Sequence, residues 1–259
     1  MPPFSMPVAA PSYPPPPYEF RRARQTWVVY EADPSLFIDL LPSGVRPDSD
    51  PAVCAAWACH YPESSFGPYL EAYLVVRVQV GEERFWYQPV IVTDSETPLA
   101  AGREVWGYGK KLAHLTWSDP GHGGPGTEQL AMTVERPRRL RLMTLTMRPE
   151  RLVEPDELRA LPTAEMLPTL SHRLVPSVEA GQPPTADDLI AVDVRPRAHR
   201  GADGRPEIWR GAGAVELHST AADPWGAFRA LRVLDAFSVT SDFALPHGRV
   251  VPRDTTPSI

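Results

Sequence analysis

Lysine is nearly absent from this sequence. Lysine and arginine together number 26 in 259 residues, and all but two of them are arginine; the two lysines are neighbours, Lys110 and Lys111. A GC-rich genome, which writes Arg, Ala and Pro freely, accounts for the bias, and 32 prolines fit that picture. The bias makes the exception informative. Arginine stays protonated, whereas a desolvated lysine amine can lose its proton and attack a carbonyl. A solvated Lys-Lys pair on the surface is the plain alternative.

Other absences narrow the function further. There are two cysteines, Cys54 and Cys59, in one apolar stretch. Their spacing is neither CxxC nor half of a zinc site, so they read as buried thiols in a reducing compartment. No apolar run approaches the length that spans a bilayer, and the proline-rich N-terminus lacks both a basic region and an apolar run, which makes the cytoplasm the expected location. A net charge of −6 argues against a nucleic-acid surface. GxGxxG, HExxH and GxSxG are all missing. Gly109-Lys110 resembles the end of a P-loop, but Glu104 stands where its first glycine belongs and Lys111 where Ser or Thr would bind magnesium. Neither a metal nor a cofactor is expected.

What is present reads as an α+β protein, mainly antiparallel β. Residues 1–17 form a Pro-rich arm, expected to be extended and poorly ordered, and 18–259 form a single domain. Runs rich in Val, Trp and Tyr predict strands at Gln25–Tyr30, Val53–His60, Glu71–Val80 and Arg84–Val92, with a hairpin turn at Gly81-Glu82-Glu83. Further strands are predicted at Lys111–Trp117, Gln129–Glu135, Leu140–Arg148, Ile190–Val194, Ala212–Ser219 and Phe237–Leu245. Helices are predicted over Leu36–Leu41, from a Ser95 cap through Glu104, and from about Trp225 to Leu234. Loops are predicted at Gly121–Gly126 and His199–Arg205.

The segment Gly102-Arg-Glu-Val-Trp-Gly-Tyr-Gly-Lys-Lys-Leu-Ala113 resembles the signature of the acetoacetate decarboxylase family, in which Gly-Arg-Glu leads through an aromatic-rich turn to Lys-Lys-Leu. Pro17-Tyr-Glu-Phe20 with Val28-Val-Tyr30 resembles the family's opening strand, Gly67-Pro-Tyr-Leu-Glu71 the strand with its active-site glutamate, and Phe243-Ala-Leu-Pro246 its closing strand. The resemblance implies a closed β-barrel or double barrel with a buried cavity and a few short helices, a homo-oligomer, and a Schiff-base lysine at Lys110. It implies that Lys111 favours the neutral amine of its neighbour. On a strand, however, consecutive side chains point to opposite faces, and burial among Trp106, Tyr108 and Leu112 would act in the same sense. Glu71 is the implied proton shuttle. Tyr69, Gln88, Arg103, Trp106 and Tyr108 are candidates for shaping the pocket.

The sequence also departs from the family pattern. Ala23 falls at the position of an arginine on the opening strand, with Arg22 and Arg24 on either side as candidates to replace it. Ala56 falls at a second glutamate, and Gly109 at the proline before the lysines. The Schiff base survives these losses, but they change how a substrate carboxylate is held and how carbon dioxide is expelled, and leave the apparatus for decarboxylation incomplete. The expected activity is therefore aldol condensation and dehydration between pyruvate, or a similar 2-oxo acid, and an aldehyde. Acetoacetate decarboxylation is the alternative, and a non-catalytic barrel binding small ligands is the second alternative.

Overall fold

A computed structural model describes residues 4–118 and 129–253. The loop expected at Gly121–Gly126 lies outside the described residues. The first half carries β1 Tyr18–Ala32, β2 Arg46–Pro47, β3 Ala52–Tyr61, β4 Glu63–Ser64, β5 Tyr69–Val80 and β6 Glu83–Thr93. A short helix, α1 Glu96–Ala101, leads to β7 Lys111–Leu112, β8 His114–Ser118, β9 Leu130–Glu135 and β10 Arg141–Leu152. Helix α2, Pro155–Ala160, precedes β11 Thr169–Val175, β12 Ala186–Val192 and β13 Arg197–Ala198. The chain ends on β14 Ile208–Leu217, β15 Arg232–Leu245 and β16 Arg249–Val251.

The pairing order is β16-β12-β11-β6-β5-β3-β1-β15-β14-β10-β9-β8, antiparallel except where β11 and β7 run parallel to β6. The fold is thus mainly antiparallel with few helices, as the sequence implies. Closure is a different matter. Among the described residues the pairing path has two ends, at the short edge strands β16 and β8, so it does not draw the closed barrel expected from the resemblance.

Side-chain alternation divides the central strands between two compartments. Val28, Tyr30, Ala56, Ala58, Leu74 and Val76 enter the main core. The intervening residues Trp27, Val29, Ala55, Trp57, Tyr73 and Val75 point the other way, to the wall of a cavity. Both faces being covered, β3 and β5 read as nearly continuous apolar runs. The hairpin from β5 to β6 uses only Gly81-Glu82, with Val80 opposite Glu83 and Gly81 at φ +57, a backbone region in which glycine is unstrained.

Two of the three predicted helices are shorter than their sequences predict. In place of the helix predicted over Leu36–Leu41 there are two 3-10 turns, Pro34–Leu36 and Ile38–Leu40, the first capped by Asp33 Oδ1, which accepts from the Ser35 amide. The last predicted helix is a single turn, Trp225–Phe228, because Arg232 and Val233 pair with Glu31 and Tyr30 of β1: sheet register overrides helix propensity. Strand β11 and helix α2 were not anticipated; α2 starts on a proline followed by Asp156 and Glu157. The arm, expected to be loose, is anchored. Tyr13 is buried and its hydroxyl donates to Glu104.

Leu74 is fully buried where β5 lies between Ala56 of β3 and Val90 of β6. Leu74→Ala is expected to lower stability by about 2–5 kcal/mol. Chemical denaturation measures it, and a loss under ~1 kcal/mol would mean that this core collapses around the void.

Candidate active site

The lysine pair is presented by a chain reversal. Helix α1 passes into a π turn, Gly102–Trp106, which ends at Gly107 with φ +78. A Cβ on Gly107 would lie 2.2 Å from the Arg173 Cα, so glycine is required there by both conformation and space. The unanticipated strand β11 holds this turn: Ser171 Oγ donates to the Trp106 carbonyl at 2.7 Å and Arg173 Nε to the Glu104 carbonyl at 2.9 Å. The reversal lays the Lys110 stem over Gly102, where a Cβ would come within 2.8 Å of Cε. Arg103, itself exposed, steadies the lysine's backbone from outside through Nη1 to the Lys110 carbonyl at 3.2 Å.

Sheet register then brings the amine to its partner. Val92 and Thr93 of β6 pair with Lys111 and Leu112 on one side and with Ala72 and Glu71 on the other. Lys110 Nζ meets Glu71 Oε2 at 2.5 Å, and the two residues are 7% and 6% exposed. Tyr61 donates to Glu71 Oε1 at 3.5 Å, and the Tyr69 ring lies 5.9 Å from Nζ. Lys111 points the opposite way, as alternation requires. Its ammonium donates to Asp223 Oδ1 at 2.7 Å and to the Ala222 carbonyl at 2.6 Å.

The pair faces a cavity of about 170 Å³. Its wall follows rows across β1, β3 and β5, set by register: Gln25 and Glu71, on either side of the buried Cys59, belong to one row, and Trp27, Trp57 and Tyr73 to the next. Among the described residues, Lys110 is the only basic side chain lining it. Glu165, a second carboxylate, is bonded to Arg84 and lies by Trp86, opposite Arg77; this is six residues along β5 from Glu71, or ~20 Å. Burial, reinforced by the charge of Glu71, pushes the Tyr69 phenol well above its ordinary range. Burial does the same to Tyr61 and Tyr73, and raises Tyr108 to about 12. These hydroxyls are therefore O–H donors across the physiological range.

Of the residues singled out from the sequence, Lys110, Glu71, Tyr69, Gln88, Trp106 and Tyr108 meet at this cavity. Lys111, Arg103, Arg22 and Arg24 do not line it. A bulge between Phe20 and Ala23, with Arg22 at φ +52, turns Ala23 into the apolar interior and leaves Arg22 exposed. Ala56 belongs to the main core, on the face of β3 turned from the cavity, and β3 contains no acidic residue. Gln25, Tyr61, Trp57 and Tyr73 were missed as site residues. The parity of Tyr69, Glu71 and Tyr73 along one strand could have found Tyr73; the others depend on register between strands. Among the described residues no group of His, Cys, Asp and Glu could hold a metal ion, and no helix is long and apolar enough to cross a membrane.

A family model described as acetoacetate decarboxylase matches residues 5–254. Acetoacetate decarboxylase 1 of Mesorhizobium japonicum is 29% identical over 249 residues, covering 96% of this chain and 93% of that protein. A solved acetoacetate decarboxylase superposes with a TM-score of 0.82 at 21% identity, covering 98% of this chain and 96% of that one. The enduracididine biosynthesis enzyme MppR, complexed with pyruvate, superposes with a TM-score of 0.78 at 19% identity, covering 96% and 97%; at these identities the likeness is one of fold.

Gly102→Ala is expected to displace the Lys110 stem and slow borohydride-trapped labelling of Lys110 by a small aldehyde by about 10²-fold. Labelling at the wild-type rate would show that the stem has another path. The buried phenols yield a pH prediction. An unfolded chain ionises tyrosines near 10 and the folded one does not, so stability should fall as pH rises through ~10. Phenolate absorbance in the folded protein should lag behind that of the denatured protein; coincident titrations would contradict the burial described.

Proposed function

The chain belongs to the acetoacetate decarboxylase family, and we propose that it is a lysine Schiff-base lyase joining pyruvate, or a similar 2-oxo acid, to an aldehyde with loss of water. The observation that carries this reading is the 2.5 Å Lys110–Glu71 pair in a cavity lined, among the described residues, by no arginine. Glu71 takes a proton from the Lys110 ammonium, and the free amine attacks the keto carbon. The keto oxygen takes one proton from the attacking nitrogen and one back from Glu71 and leaves as water, forming an iminium and restoring the Glu71 carboxylate. Glu71 then removes a proton from the adjacent methyl carbon, and the resulting enamine forms a bond to the aldehyde carbon. The aldehyde oxygen takes up a proton and departs as water after a second deprotonation. Hydrolysis of the conjugated iminium restores the amine and releases a 2-oxo-3-enoic acid. The protonated phenol of Tyr69 and the amide of Gln25 are donors for the substrate carboxylate.

Decarboxylation is the second reading, favoured by the name of relatives such as that of Mesorhizobium japonicum. It ranks second because the cavity face of β3 supplies no second carboxylate and Arg22 and Arg24 lie off the cavity lining. We take the working form to be a cytoplasmic homo-oligomer, with one catalytic domain after the arm at 1–17.

Borohydride trapping with pyruvate, read by intact and peptide mass, tests the proposal. The two lysines make the adduct site assignable, and Lys110→Ala controls for the N-terminal amine. An adduct on Lys110 is expected. Glu71→Gln should slow condensation by about 10²–10⁴-fold, the usual weight of a general acid–base. Acetoacetate trapped with release of carbon dioxide, and no condensation from pyruvate, would promote the second reading.

A further inference from the structure

The proposed chemistry consumes two carbonyl compounds, and the cavity extends beyond the lysine. We propose that it contains a second subsite, beside Lys110, for a neutral, planar aromatic carbonyl compound bearing a hydrogen-bond donor. This deepens, and rests on, the imine-forming reading of Lys110.

Three features of the wall lead there. The first is its shape. Trp27, Trp57 and Tyr73 stand side by side on β1, β3 and β5, two residues on from the row that contains Glu71, or about 7 Å along the strands. Their rings are parallel, with centroids 4.4 Å apart at 10° and 5.7 Å apart at 11°. Parallel rings partly facing a cavity favour another ring by stacking and edge contacts over an aliphatic chain of the same size.

The second feature is an unsatisfied acceptor. Gln88 is 8% exposed, lines the cavity, and its Oε1 has no hydrogen-bond partner. Its position has a structural cause. Leu74 pairs with Val90 but Val76 pairs with Tyr87, so β6 fits Gln88 and Pro89 opposite Val75 alone, and the bulge turns Gln88 inward beside the aromatic row. A buried carbonyl without a donor is costly, and a ligand hydroxyl or N–H meets that need.

Charge is the third feature. Lys110 is the only cation lining the cavity among the described residues, Glu71 is already against it, and Glu165 is bound by Arg84. A bound 2-oxo acid adds a further carboxylate. No positive charge remains for an anionic second substrate, so the subsite selects a neutral one.

An unreactive probe tests the subsite apart from the imine. 4-Hydroxybenzyl alcohol is titrated calorimetrically into the wild-type protein beside cyclohexylmethanol and 4-(hydroxymethyl)benzoate. The aromatic alcohol is expected to bind at least about tenfold tighter than either. Trp57→Leu and Gln88→Leu should each weaken it by about tenfold, with Trp57→Phe restoring most of the loss. Thermal unfolding checks each variant; if Trp57→Leu does not fold, Gln88→Leu decides. Equal affinity for the cyclohexyl or the anionic probe, or wild-type affinity in Gln88→Leu, overturns the subsite. Pyruvate trapping on the wild-type protein is read separately. A trapped adduct without aromatic preference removes the subsite alone, whereas aromatic preference without an adduct removes the imine reading and leaves the subsite.

Discussion

Strands β1, β3 and β5 are covered on both faces, and that constraint organises the molecule. One face of these strands fills the main core through residues such as Val28, Ala56 and Leu74, while the other presents Trp27, Trp57 and Tyr73 to a cavity. Since alternation is strict between bulges, a residue's parity decides its compartment. Glu71 belongs to the cavity for the same reason that Ala72 belongs to the core. The bulges at Phe20/Ala23 and Leu74/Val76 are where parity is reset; one removes Arg22 from the cavity and the other brings Gln88 into it.

Within that wall the Lys110–Glu71 pair sets the electrostatics. Removing one member of such a buried pair leaves the other charge without compensation, at a cost of about 3–5 kcal/mol, so the pair is a structural element as well as a chemical one. Direct contact also provides a short proton path, which an amine needs before it can act as a nucleophile. The phenols around it stay protonated because burial and the nearby carboxylate both disfavour phenolate. They can therefore donate hydrogen bonds into the cavity across the physiological range.

Much of this is legible in the sequence. Alternating Val, Trp and Tyr mark β1, β3, β5 and β6, because apolar periodicity is a local property of each strand. Lys110 stands out by composition, and Gly102 and Gly107 are in the motif although their purposes are not visible in it. The helix expected near Trp225–Leu234 fails for a nonlocal reason: its second half pairs with β1, some two hundred residues earlier. Strand β11 escapes notice because Thr169–Val175 has no clear alternation, and its partners β6 and β12 define it.

The sequence by itself marked most of the central strands and singled out Lys110 and Glu71, since apolar periodicity is local to each strand and the motifs that resemble the family are continuous in the chain. Only the tertiary structure decided that Lys111 turns away to Asp223, that Arg22 and Arg24 lie off the cavity lining, and that Gln25, Trp57 and Tyr61 reach it. Those placements depend on register between strands distant in the chain, where a single bulge reverses every side chain beyond it.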